Sequence, residues 1–218
     1  MIFLVALAGY LIGSIPFGYV VVKTFSGQDV REFGSGRTGG TNAMRAAGFG
    51  AGLLTASLDL LKASAAVWLA QSVLSADARP LGMALAGLGA ILGHNYSLFL
   101  KFKGGAGGAP CVGAALGMWP WSALIAVPVG VGILYGVGYA SLATLSVAVT
   151  ITALFVLRTY VLHVPGAAAE FILYGLGAFV LLAWSLRPNI KRLLRGEERL
   201  VGWRAKRTGA VEAPASGE

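Results

Sequence analysis

The chain has 218 residues, 56% hydrophobic and only 12% charged, with a mean hydropathy of +0.75; soluble domains carry about 25% charge, so this composition marks an integral membrane protein. The single cysteine, Cys111, excludes an internal disulfide, and two histidines are too few for a Cys/His zinc cluster, so no metal or cofactor is expected. A net charge of +8 calls for anionic partners, which beside a membrane are lipid head groups or phosphorylated substrates before nucleic acid.

The run IFLVALAGYLIGSIPFGYVVV predicts a first spanning helix over 2–22. It lacks the basic region and cleavage site of a signal peptide. Hydropathy and turn residues place further helices at 51–73, 81–98, 108–118, 121–137, 142–158 and 169–186. The expected fold is therefore an all-α bundle of seven transmembrane helices, occupying 1–200 as one domain, with 201–218 as a basic and then flexible tail. The fourth and fifth helices are short and meet at the WPW of 119–121, so they read as tilted, broken or re-entrant; five spans with one re-entrant hairpin is the alternative.

Basic residues fix the expected orientation. Lys23, Arg31, Arg37, Arg45, Lys101, Lys103 and eight more from Arg187 to Arg207 fall on one side, 14 in all; Arg79 and Arg158 fall on the other, and Lys62 lies inside a helix. The richer side belongs in the cytoplasm, which puts the N-terminus outside and the C-terminus inside. The piece NIKRLLRGEERLVGWR reads as an amphipathic attachment to anionic lipid. No internal repeat supports a transporter built from inverted halves.

The chemistry gathers in two loops. The first, REFGSGRTGGTNAMRAAG, sets Gly34, Gly36, Gly39 and Gly40 among Ser35, Thr38, Thr41, Asn42, Arg37 and Arg45. Glycines let backbone amides turn toward one anion while hydroxyl, amide and guanidinium groups add donors, so the loop reads as a phosphate site rather than a plain linker. The second, LGHNYSLFLKFKGGAGG, repeats the pattern with Lys101, Lys103, Gly104, Gly105, Gly107 and Gly108 before a new helix, where amide dipoles favour an anion. It is no Walker loop, because no GK[ST] closes it. Two such loops on one membrane face suit a transferase. Asp59 and Lys62, three apart in an apolar helix, read as a structural pair or a substrate contact. His94 reads as a general base or a hydrogen-bonded structural residue, Ser141 as a helix cap or a substrate donor, and Cys111 as packing.

GSIPFGY at 13–19, GSGRTGGTNAMR at 34–45, LDLLK at 58–62, GHNYSLFLKFKGGAGG at 93–108, YASLA at 139–143 and RPNIKRLLRGEE at 187–198 together resemble the bacterial acyl-phosphate:glycerol-3-phosphate acyltransferases, the PlsY family. The resemblance covers nearly the whole chain. It implies a seven-helix bacterial inner-membrane enzyme with its active site toward the cytoplasm. It also implies transfer of a fatty acyl group from acyl phosphate to the 1-hydroxyl of glycerol 3-phosphate, giving lysophosphatidic acid and phosphate for phospholipid synthesis without a metal or cofactor. Membrane lipid and other phospholipid-synthesis enzymes are the implied partners. By the same resemblance Ser35, Arg45, Ser141 and Asn189 are the catalytic candidates. Gly36, Thr41, Asn42, Gly104, Gly105, Gly107 and Glu198 are its substrate- and phosphate-binding candidates, and Arg37, His94 and Lys103 join them from the reading of the loops themselves. The chain departs from the family pattern at Ala106, where a lysine is usual, at Leu186, where a histidine is usual, and at Arg37, Gly40 and Ser97. These departures leave two other readings open: a non-catalytic paralogue that binds phosphate or lipid, and an acyltransferase with a changed substrate.

Overall fold

Proline produces the first departure from the expected elements. In the computed structural model, which describes residues 1–201, the apolar run over 2–22 divides into α1 (Ile2–Ser14) and α2 (Phe17–Ser26). Pro16 has no amide to continue the ladder and biases Ile15 away from helix; Ile15 takes ψ 120°. The Lys62 ammonium donates to the Ile15 carbonyl at 2.7 Å, satisfying a group that the break leaves open.

α1 lies along α4 (Arg79–Asn95), backbone against backbone. Gly9 and Gly13 face the Ala86 and Ala90 carbonyls, and Gly89 and Gly93 face those of Ala6 and Tyr10, with no room for a Cβ at any of the four. Lipid supplies no hydrophobic drive between helices, so close packing through small residues holds such a pair.

The expected second helix is the long arm of α3 (Gly40–Val73), which reverses at Ala47 and Gly48, the latter at φ 85°. The short arm, 40–46, folds back onto the long one: a Cβ added to Gly52 would stand 2.5 Å from that of Met44. Residues 40–45, expected in a loop, are helical because Ala43 is buried with Val22 and Val30 beneath the arm.

α5 (Gly108–Met118) and α6 (Pro120–Gly136) meet at the extended residue Trp119. α7 (Ala140–Val156) runs on into a π-helical turn, Leu157–Val161, and α8 (Glu170–Leu194) continues past the expected end at 186 despite Pro188. Among the described residues, five helical stretches are long and apolar enough to cross a membrane, counting α1 with α2, and α5 and α6 are shorter. Ile91, Ile151, Phe155, Tyr174 and Leu182 fill the core, with the Phe155 and Phe171 rings 5.6 Å apart. Cys111 packs here as expected, its carbonyl accepting from the Tyr174 hydroxyl at 2.6 Å. Exposed Phe3, Leu124 and Val180 present an apolar exterior suited to lipid. At one end the connections 27–39, 96–107 and 137–139 converge with the segment after α8, and there the polar residues collect.

Candidate active site

Asn42 organises the first loop. Its Nδ2 lies 2.8–2.9 Å from the carbonyl oxygens of Val30, Phe33 and Arg37, and its Oδ1 accepts from the Ser35 amide at 3.3 Å. Asn42 is thus a buried staple for the loop rather than a free donor, although it borders the cavity described below. At the loop's entrance Asp29 accepts the Arg31 amide and guanidinium, and that hydrogen-bonded guanidinium holds the Asp29 carboxyl below the usual carboxylate range. Gly36 does not reach the cavity: its amide closes a turn onto the Phe33 carbonyl at 2.8 Å.

Arg37 leaves the first loop and joins it to two other elements. Its guanidinium donates to the Gly105 carbonyl at 3.1 Å, to the Ser185 hydroxyl at 2.9 Å and to the Ser185 carbonyl. The second loop is therefore clamped from above by Arg37 and from below by α4. The Gly104 amide donates to the Asn95 carbonyl at 3.2 Å and the Gly105 amide to the His94 carbonyl at 2.9 Å. Those two amides, expected to hold phosphate, are already taken. Lys103 is exposed and does not line the cavity. Gly104 and Gly105 thus frame the loop through their amides, and the Lys103 side chain lies off the cavity lining. Gly107, at φ 89°, does border the cavity and opens α5 there, together with Ala106, Gly108 and Ala109. Leu186 is buried on the same wall. Ser97, buried just past the end of α4, donates to the Ser14 carbonyl at 2.5 Å.

Beneath the loops lies a buried cluster. The Lys62 ammonium is 2.7 Å from the Asp59 carboxylate and 3.2 Å from His94 Nδ1, which is 3.4 Å from the same carboxylate. Both carboxylate and ammonium are almost fully enclosed, so the pair costs desolvation and each partner depends on the other. Lys62→Met should lower stability by about 3–5 kcal/mol by leaving Asp59 uncompensated, and adding Asp59→Asn should restore most of it. Thermal unfolding of the detergent-solubilised protein measures both. Equal midpoints for wild type and Lys62→Met would remove the pair from the structural frame.

A second cluster forms across the cavity. The Ser141 hydroxyl, fully buried, donates to the Glu198 carboxylate at 2.5 Å, and Asn189 Nδ2 donates to its other oxygen at 3.2 Å. Glu198 therefore fixes two candidates from two helices. The segment carrying it is docked: the Val201 amide donates to the Gly138 carbonyl at 2.9 Å, Leu200 bridges to Tyr139, and Arg199 Nη1 donates to the Gly34 carbonyl at 2.8 Å.

These parts surround one cavity of about 330 Å³. Ser35, Thr41, Asn42, Arg37 and Arg45 border it from the first loop and the short arm of α3. His94 and Asp59 border it from below, and Ser141, Asn189 and Glu198 from the far side. Arg192 and Arg199, which the sequence pattern places in a lipid attachment, also line it. The signal that could have found Arg192 was its spacing of three from Asn189, which puts both on one face of α8.

Comparison with known proteins places the chain in one family. A family model described as glycerol-3-phosphate acyltransferase matches residues 3–196. A relative from Dehalococcoides mccartyi, named glycerol-3-phosphate acyltransferase 3, is 37% identical over 212 residues, covering 93% of this chain and 97% of that one. Glycerol-3-phosphate acyltransferase of Thermus thermophilus is 39% identical over 200 residues, covering 92% and 95%. The crystal structure of PlsY (YgiH), an integral membrane glycerol 3-phosphate acyltransferase, in its glycerol 3-phosphate form superposes with a TM-score of 0.79 at 31% identity, covering 95% of this chain and 98% of that one. The family match spans nearly the whole chain and the fold superposes along its length, so the chain belongs to the glycerol-3-phosphate acyltransferase family.

Proposed function

We propose that the cavity transfers a fatty acyl group from acyl phosphate to the 1-hydroxyl of glycerol 3-phosphate, releasing lysophosphatidic acid and inorganic phosphate. The observation that carries this is one cavity bordered by two loops and the end of α8, with four arginines, Arg37, Arg45, Arg192 and Arg199, around it. Two substrates that each carry a phosphate need that concentration of donors. The glycerol 3-phosphate and lysophosphatidic acid forms of the PlsY structure support the choice of substrate and product.

Ser35, Thr41 and Arg45 hold one phosphate from the first loop. Ser141 and Asn189, oriented by Glu198, meet the reacting groups from the opposite wall, and the start of α5 at Gly108 and Ala109 borders the cavity beside Gly107. The acceptor oxygen attacks the acyl carbonyl carbon, the acyl–phosphate bond breaks, and the hydroxyl proton passes to a phosphate oxygen. Positioning and charge stabilisation thus replace a dedicated protein base. The fatty chain lies between helices toward lipid.

In this reading seven spans cross a bacterial inner membrane, with α5 and α6 as the short pair, the N-terminus outside and the cavity facing the cytoplasm. The excess of basic residues at the cavity end supports that orientation. Residues 1–200 act as one catalytic domain; nearly all of the expected 201–218 tail lies outside the described residues. Incubation of the purified protein with acyl phosphate and labelled glycerol 3-phosphate should move label into lysophosphatidic acid. Label that stays in the aqueous phase for wild type but is extracted into lipid for Ala106→Lys would show that the site lacks its cation and does not turn over.

A further inference from the structure

Cations reach one side of the cavity from an unexpected part of the chain. The second loop supplies none there, because Lys103 is off the lining and Ala106 is uncharged. That side instead presents Arg192, in the last turn of α8, and Arg199, on the segment that follows. Among the described residues the Arg192 guanidinium has no hydrogen-bond or ion-pair partner, and the Arg199 guanidinium has only the neutral Gly34 carbonyl. Neither nearby carboxylate is free: Glu198 is engaged by Ser141 and Asn189, and Asp59 by Lys62. Like charges converge instead, since Arg192 is close enough to Arg37 to disfavour its protonated form, in addition to the larger effect of burial. Arg192 and Arg199 are exposed at the cavity edge, and a dianionic ligand there gains charge-assisted contacts to both guanidinium groups while offsetting the effect of Arg192 on Arg37.

We propose that Arg192 and Arg199 form a phosphate-monoester subsite that serves one of the two substrates, in place of the cation missing from the second loop. This rests on the function proposed above and extends it to residues after the last helix. The segment is held in place in advance, because the Val201 and Leu200 contacts to Gly138 and Tyr139 keep Arg199 at the cavity edge before any ligand arrives. Arg192 sits one helical turn beyond Asn189, and Arg199 reaches across to the Gly34 carbonyl of the first loop, so both residues border the cavity. Acyl phosphate and glycerol 3-phosphate share the recognised group, and the kinetics separate them.

Arg192→Gln, Arg199→Gln and the double variant of the full chain are assayed with each substrate varied in turn, beside Lys191→Gln, an exposed neighbour off the cavity lining. Loss of a charge-assisted contact should raise KM for one substrate by about 10-fold in each single variant, with kcat within about 3-fold, and more in the double variant. Arg199→Lys should recover part of the loss, and Lys191→Gln should match wild type. The substrate whose KM moves identifies the occupant. Unchanged KM values for both substrates would overturn the subsite. A binding measurement keeps the test independent of turnover: inorganic phosphate and glycerol 3-phosphate are titrated calorimetrically into wild type and the double variant. Weaker binding of either anion to the double variant supports the subsite even if wild type shows no acyl transfer, an outcome that would count against the proposed function alone. Equal binding of both overturns it.

Discussion

Arg45→Ala is expected to lower kcat/KM by about 100-fold to 1000-fold, the cost of removing one charged donor from a developing phosphate leaving group. Arg45 sits on the short arm of α3, folded back by the reversal at Ala47 and Gly48 so that it borders the cavity beside Gly34. The arm is anchored by buried Ala43 and by the Asn42 staple, neither of which Arg45→Ala removes. The loss should appear in turnover with little change in thermal midpoint. Ser35→Ala, on the same loop, should act in the same direction by a smaller factor, because a neutral hydroxyl gives a weaker bond than a guanidinium. Wild-type rates in both variants would remove the first loop from the site.

The second large effect is expected at Gly105, which frames the loop rather than touching substrate. Its Cα lies against the His94 ring: an added Cβ would fall on Nε2, 2.7 Å from Cε1 and 2.9 Å from Cδ2. His94 cannot retreat, because its Nδ1 is held against Lys62 and Asp59. Gly105→Ala must therefore displace the loop, and with it the carbonyl that Arg37 grips and the neighbouring Ala106 and Gly107 at the cavity wall. Activity should fall at least about 10-fold, as expected when a site is displaced by about an ångström, and the thermal midpoint should fall as well. That joint loss distinguishes Gly105→Ala from Arg45→Ala. A Gly105→Ala protein with wild-type rate and midpoint would show that the loop is not packed on His94 as described.

Local chemistry was legible in the sequence wherever it depended on residue type and short spacing. The Asp59–Lys62 pair, three apart, forms as spacing suggests, and Ser35, Arg45, Ser141 and Asn189 do meet at one cavity. The long-range geometry was less legible. Hydropathy averages over a window, so Pro16 inside an apolar run gave no separate signal although it splits the first helix. Gly48 reverses α3 through a contact between its two arms that no local pattern announces. The glycines of the second loop looked like phosphate donors because composition shows only that amides are present. Which carbonyls they face depends on α4 lying beneath them. The basic tail misled for a related reason. Lysines and arginines after a last spanning helix usually meet lipid, and only the docking of Leu200 and Val201 onto the α6–α7 connection turns Arg199 inward.

Phosphate release from acyl phosphate by the purified wild-type protein, measured with and without glycerol 3-phosphate, tests the proposed activity most directly. Release that requires glycerol 3-phosphate and matches lysophosphatidic acid formation mole for mole is the expected result. Release that is absent under both conditions, or equally fast without the acceptor, contradicts acyl transfer at this cavity.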